Sequence, residues 1–289
     1  MNDYLKILDP MVAMFIEPVR LINDNICSTE YAYLAEDDFK ILLKTDWKLA
    51  NEQYWKEILF KVHFASLASI IRNYSWLKGM ATAYEDQNFL LYCSSFRSLI
   101  ESAADSYDAL NNVAMTLSEN YHVINDALLR KSKNLSICKE LEDQLIHFSH
   151  ARRIGRKEAA PQSHRAKPAT TYIKALDQSL SHNFYECYSE LCQYTHPAAQ
   201  SVSYMMRPIN TSKFLFSPGR EQQKIIEITK KYEKLIVPLL ALSFNPAFLC
   251  LKVLKRLPIK NCHCHHIDQI GMSGIKAWST ICKNMNSHE

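Results

Sequence analysis

The chain has 289 residues, 47% of them hydrophobic and 11% aromatic, with a net charge of +4; this composition suits a packed globular protein and excludes a disordered one. Only five glycines occur where average usage gives roughly 20. Neither GxGxxG nor GxxxxGK[ST] is present, so the usual nucleotide-binding loops are excluded.

Residues 1 to 50 read as an N-terminal helical extension. From 50 to 78, Tyr54, Ile58, Val62, Ala65, Ala68 and Ile71 recur at spacings of three and four, which predicts a helix. Residues 86 to 110 predict another, with Asp86 as its N-cap and an apolar face of Phe89, Tyr92, Phe96, Leu99, Ile100, Ala103, Tyr107 and Leu110. One or two more polar helices are expected over 112 to 150, then a loop over 151 to 168, where Gly155, Pro161 and Pro168 stand among basic residues. Helix returns over 169 to 195. Residues 205 to 220, with Pro208, Pro218 and Gly219, should cross the surface. A long helix over 221 to 254 should be broken or kinked at Pro238 and Pro246. Beyond 257 the tail reads as irregular, with a short helix near 275 to 283. No alternating strand pattern is visible. The expected fold is all-α, a helical bundle with antiparallel neighbouring helices over 51 to 256, followed by a Cys/His-containing tail over 257 to 289.

Two segments bear on location and partners. Residues 235 to 251, LIVPLLALSFNPAFLCL, carry no charge. The run is slightly short for a membrane span and holds two prolines, so a buried core pair of helices is the better reading and no membrane partner is expected. The nine cysteines are odd in number and scattered, and the N-terminus MNDYLKILDP lacks a charged start and an apolar core. A reduced, cytoplasmic protein is therefore expected. Residues 130 to 167 hold ten Lys/Arg against four Asp/Glu, a local +6 that leaves −2 elsewhere. Such a stretch suits a polyanion, and Arg152, Arg153, Arg156 and Lys157 are its candidate nucleic-acid contacts; a solvated loop is the plainer reading.

Three groups could carry chemistry. Arg97 and Glu101 lie four apart and share a helix face. They read either as a surface ion pair or as an arginine held by a carboxylate and aimed at a phosphate, whose oxygens its planar fork matches. His196 precedes Pro197, so the helix before it should stop at about Thr195 and present the imidazole from its end, near Tyr188, Cys192 and Tyr194. There it could cap the helix or pass protons near neutral pH. Cys262, His263, Cys264, His265 and His266 are all metal-ligand types, but their spacing is too tight for one tetrahedral site and no second pair accompanies them. Neither a metal nor a cofactor is expected.

FRSLIESAADSYDAL, followed about a hundred residues later by YSELCQYTHPAAQS, resembles a branch of the HEPN-like helical superfamily, many of whose members occur in bacterial toxin–antitoxin and anti-phage systems. The matching positions are Arg97 and Glu101, then Tyr188, Leu191, His196 and Pro197, and the resemblance spans roughly residues 55 to 205. It implies a helical bundle, often dimeric, and for catalytic members a metal-independent ribonuclease. Arg97 would bind the scissile phosphate, His196 would act as general acid or base on the 2′-hydroxyl or the leaving 5′-oxygen, and Glu101 would orient Arg97 or share the proton work. The chain departs from the usual signature, an arginine followed four to six residues later by a histidine on one helix. Its formal match, RLPIKNCH from Arg256 to His263, has Pro258 inside it and lies outside the resembling region. Arg97 and His196 would have to meet across two helices. The expected function is thus RNA cleavage by a defence or toxin protein. The alternative is a non-catalytic helical module, an antitoxin or regulatory subunit, that binds nucleic acid or a partner protein.

Overall fold

The structure, a computed structural model, describes residues 2–155 and 157–287. Helices dominate it: α1 Asn2–Leu5, α2 Ala13–Asp24, α3 Glu36–Thr45, α4 Trp47–Glu85, α5 Phe89–Leu110, α6 Val113–Glu119, α7 Tyr121–Leu128 and α8 Lys139–His150. Beyond the 151–168 loop follow α9 Ala169–Leu180, α10 Phe184–Thr195, α11 Gln200–Ser203, α12 Glu221–Lys231, α13 Glu233–Leu254 and α14 Lys276–Asn286. Two short strands, β1 Met206–Pro208 and β2 Phe214–Phe216, form an antiparallel ribbon. Among the described residues the fold is all-α apart from this ribbon.

The chain divides into two compact units, each assembled from three pieces. One comprises Met1–Val19, Ile71–Asp105 and Lys167–Ser243; the other comprises Arg20–Ile70, Ser106–Ala166 and Phe244–Glu289. These divisions fall elsewhere than at residues 50 and 256.

In the first unit, the core face of α5 is the one its periodicity predicts, with Phe89, Tyr92, Phe96, Leu99, Ile100 and Ala103 buried. Polar groups pin the helices together inside it. Tyr92 Oη lies 2.9 Å from Tyr4 Oη and 2.7 Å from Thr229 Oγ1, which joins α5 to α1 and α12. Asn73 on α4 accepts from Ser102 Oγ on α5 at 2.5 Å and donates to the Ser243 carbonyl on α13 at 3.1 Å. Gly79 lets α4 approach α5 closely, since a Cβ there would stand 2.8 Å from Ser95 Oγ.

In the second unit, the N-terminal part of α4 buries Ala50, Tyr54, Ile58, Val62 and Ala65. Asp46 caps it, accepting from the Leu49 N–H at 3.0 Å. The chain between α7 and α8 is stitched to this helix. Asn51 donates to Ser132 Oγ at 3.1 Å and accepts from the Ser136 N–H at 3.1 Å, and Trp55 donates to Ser136 Oγ at 2.8 Å. Glu52 takes both Lys56 and Arg130. At the C-terminal end, α14 runs close to the predicted 275–283, buries Ile281 and Met285, and bonds Asn284 Nδ2 to Ser118 Oγ at 3.1 Å.

Several local expectations are corrected. Asn88, not Asp86, caps α5, because its carboxamide accepts from the Leu91 N–H at 3.0 Å. Residues 112 to 150 form three helices. The stretch 169 to 195 is two helices, separated at Ser181, which adopts a left-handed conformation (φ 54°). In the 221–254 run the interruption falls at Tyr232, and α13 continues through Pro238 and Pro246. Burial of Ile236, Leu239, Leu240, Phe244, Ala247 and Phe248 along α13 outweighs the hydrogen bonds the prolines lack. The most apolar window of α13 is 67% buried, as in a core helix. The β1–β2 ribbon was not visible in the sequence.

Candidate active site

The site is built on α10 and on the part of α5 up to Asp105, both within the first unit. Helix α10 starts where Asp177, still on α9, accepts from the backbone N–H groups of Phe184 and Tyr185, each at 2.8 Å. A residue of the preceding helix thus does the work of an N-cap and locks the α9–α10 turn. Phe184, Cys187 and Leu191 form the buried face of α10. Glu190 anchors its flank, pairing with Lys231 and accepting from Tyr232 Oη.

A second stripe of α10, Tyr188, Cys192 and Thr195, meets the Arg97–Glu101 edge of α5. Thr195 Oγ1 accepts from Arg97 Nη1 at 3.2 Å, and the Tyr188 phenol lies beside Glu101. Contact of residue 97 with 195 and of 101 with 188 means that the two helices run antiparallel here. Burial holds the Tyr188 phenol above its ordinary range, and its bond to Cys192 and the nearby Glu101 carboxylate push the same way. Tyr188 therefore stays protonated and is a fixed donor beside Glu101.

The helix ends at Thr195, as the following His-Pro pair predicts. His196 is extended (φ −96°, ψ 159°), while its N–H still reaches the Cys192 carbonyl at 3.0 Å. This turn throws the imidazole back toward α5, where His196 Nε2 lies 3.2 Å from Arg97 Nη1. A guanidinium only donates, so Nε2 is the acceptor and the ring is the neutral Nδ1–H tautomer in this arrangement. Among the described residues Arg97 Nε is enclosed without a hydrogen bond, and it stands 3.6 Å from Glu101 Oε1. The guanidinium is thus held from three sides, by Glu101, Thr195 and His196, while the imidazole faces solvent. A cation fixed beside a solvent-accessible proton acceptor can bind an oxyanion and move a proton next to it.

A cleft of about 270 Å³ opens beside Glu101, lined by Arg72, Trp76, Ser98, Asp105, Lys167 and Tyr172 among others. Arg72 Nη2 binds Asp105 Oδ2 at 2.6 Å within it. Sequence reasoning did not find this cleft, nor the part played by Thr195. Both arise from helix approach, and a threonine in a last helical turn carries no signal of its own.

The structure thus brings Arg97, Glu101 and His196 together. The basic segment, apart from Lys167, belongs to the other unit. There Arg152 pairs with Glu158, Arg153 and Lys157 are exposed, and Arg156 lies outside the described residues. The backbones of Arg152 and Arg165 bridge, and His150 stacks on His164 with ring centroids 5.3 Å apart. In the CHCHH run Cys262 is buried and His263 Nε2 lies 3.1 Å from the Leu257 carbonyl. Among the described residues no group of three His, Cys, Asp or Glu side chains is placed to hold a metal ion. No family of known proteins, no curated protein and no solved structure matches the chain.

Proposed function

We propose that the protein is a HEPN-like ribonuclease of a bacterial defence or toxin system, cutting RNA without a metal ion. The observation that carries this reading is the 3.2 Å approach of Arg97 Nη1 to His196 Nε2 from two helices, with Glu101 behind the guanidinium. An RNA phosphate entering here exchanges the Arg97–His196 bond for bonds from Arg97 to its non-bridging oxygens. The freed Nε2 takes the proton of the 2′-hydroxyl, whose oxygen attacks phosphorus. The bond to the 5′-oxygen breaks, that oxygen takes a proton from water, and His196 returns its own to solvent. Arg97 stabilises the charge that builds on the phosphoryl oxygens. Glu101, steadied by Tyr188, keeps the guanidinium oriented.

The test is cleavage of total RNA and of a defined oligonucleotide in EDTA, with growth followed after induction. Arg97→Ala and His196→Ala, each confirmed to melt cooperatively, should lower the rate by about 10²–10³-fold. Equal activity of wild type and both variants would sink the reading. The exposed Arg153 and Lys157 support a second reading, a non-catalytic module that grips nucleic acid through the 130–167 segment. In that case RNA binding falls steeply with salt, and loss of Arg152, Arg153 and Arg156 together flattens the slope.

A further inference from the structure

The β1–β2 ribbon has no role in the site described above, yet Met206, Phe214, Leu215 and Phe216 all stand exposed on it. We propose that it is a stacking platform for single-stranded RNA leading into the Arg97–His196 site; the inference rests on the RNA reading above.

Cross-strand register places Met206 opposite Phe216 and Pro208 opposite Phe214, so these four apolar side chains share one face. Every residue of both strands is exposed: Met206 by 46%, Phe214 by 58% and Phe216 by 64%. A bare two-stranded ribbon with such a face is marginal in water unless something covers it. Its shape is nonetheless set in advance. The Asn210 carboxamide accepts from the N–H groups of Ser212 and Lys213 at 3.0 and 2.8 Å, and Ser217 N–H closes the base on the Met205 carbonyl at 2.8 Å.

Charge identifies the occupant as a polyanion. Residues 197 to 220 contain Arg207, Lys213 and Arg220 and no Asp or Glu, so the ribbon as a whole is positive, although Arg207, paired with Leu215, lies on the face opposite the rings. Phe214 and Phe216, two residues apart on one face, are separated by about 7 Å, roughly twice the 3.4 Å rise of stacked bases. Aromatic rings on a positively charged surface are how single strands are held without regard to sequence. A lipid surface fits less well, because the turn that would enter it first, Ile209-Asn210-Thr211-Ser212-Lys213, has one apolar residue among four polar ones, and the other apolar residues lie along the body of the ribbon.

The root of the ribbon is fixed on the helices of the site. Tyr204 packs on Phe89 with centroids 5.0 Å apart, and Tyr194 of α10 packs on the same ring at 4.9 Å. Phe89 opens α5, and Arg97 lies eight residues further on, about 12 Å along the helix axis. The ribbon's root at Tyr204 therefore stands against the same helix that carries Arg97, one ring contact and about 12 Å of helix from it.

The experiment uses the full chain carrying His196→Ala, which binds without turnover, and a labelled ten-nucleotide RNA followed by anisotropy. Replacing Phe214 and Phe216 with Ala should weaken binding by about tenfold for each ring removed. Phe214→Leu with Phe216→Leu, apolar but unable to stack, should bind as weakly as the Ala pair. Phe214→Trp with Phe216→Trp should bind like the parent, with indole fluorescence quenched by RNA. Arg207→Ala with Lys213→Ala should reduce the slope of log affinity against log salt by about 1.4. The proposal is overturned if the Leu pair keeps the parent's affinity or the Ala pair loses none. It is equally overturned if the Ala pair instead loses adhesion to phosphatidylglycerol vesicles, or changes oligomeric state in the ultracentrifuge. Cleavage of the dinucleoside phosphate UpA by chains with His196 intact separates the two readings. The ribbon variants should cleave it at the wild-type rate and Arg97→Ala should not. If wild type leaves UpA whole, the nuclease reading fails while the binding series still decides the ribbon.

Discussion

Glu52 and Glu101 are both helix carboxylates beside an arginine, and they are occupied to different degrees. Glu52, 7% exposed, takes Lys56 and Arg130 together, and Asn51 next to it is bonded to Ser132 and Ser136. Burial works against the charge of Glu52, but the hydrogen bonds from Lys56 and Arg130 prevail and hold the carboxyl below its ordinary range. The Glu101 side chain is 30% exposed and stands 3.6 Å from an Arg97 Nε that makes no hydrogen bond among the described residues. The histidine completing that cluster is open to solvent. A saturated centre fastens the chain. A cluster with unused donors and an open rim has capacity for a third group.

This contrast can be broken by comparing two adjacent residues of α5. Phe96, fully buried, should cost about 3–5 kcal/mol when replaced by Ala. Arg97→Ala, about 100° round the helix, should cost under about 1.5 kcal/mol while removing RNA cleavage. If urea unfolding shows equal losses, the Arg97 cluster is a fastening like Glu52 and the distinction fails.

The next effect concerns the unit that contains Glu52. Burial, with His263 nearby, pushes His63 down to about 4, and its Nδ1 lies 2.8 Å from Tyr31 Oη. The unfolded chain takes up the proton at about pH 6.5 and the folded one only near 4. Stability should therefore fall as pH drops below about 6.5 and level off below about 4, a total of about 3 kcal/mol. Chemical denaturation from pH 7.5 to 4.0 should show this slope in wild type and a flatter one in His63→Gln. A pH-independent wild type would mean that this unit is less tightly settled than its contacts indicate.

The smallest effect belongs to Glu52 itself. Its folded carboxyl is depressed, so its contribution is present above its unfolded value, near 4.3, and is lost as pH falls through the lower folded one. Glu52→Gln should cost about 1–2 kcal/mol at pH 7, tempered by the exposure of Arg130 and Lys56. The gap from wild type should narrow steadily below about pH 4. A gap that persists in acid would assign the loss to packing rather than charge.

Long elements were legible in the sequence wherever one buried face repeats, as in α4 and α5. Their ends were less so: Asp86 and Asn88 are both good caps, and only the path of the chain decides between them. The break at Ser181 was hidden because the left-handed backbone there is met by serine rather than glycine. Prolines misled in α13, where apolar burial on both sides of Pro238 and Pro246 keeps the helix whole. The ribbon escaped notice because each strand has three residues, too few for an alternation to register. For the site, the four-residue spacing of Arg97 and Glu101 and the His-Pro helix end were visible as local geometry. The meeting of Arg97 with Thr195 and His196 was not, because it depends on the register of two helices about a hundred residues apart.

The division of the chain into interleaved pieces governs how the protein can be made and dissected. Each unit contains segments separated by long stretches of the other. During synthesis at about 5–20 residues per second, α5 leaves the ribosome well before α10, so the Arg97 and His196 pairing forms late and the unfinished chain lacks the assembled site. The second unit also waits, for the residues beyond Phe244. A nascent chain stalled midway would therefore hold neither unit complete. For the same reason, no single cut should release a fragment that folds as either unit alone.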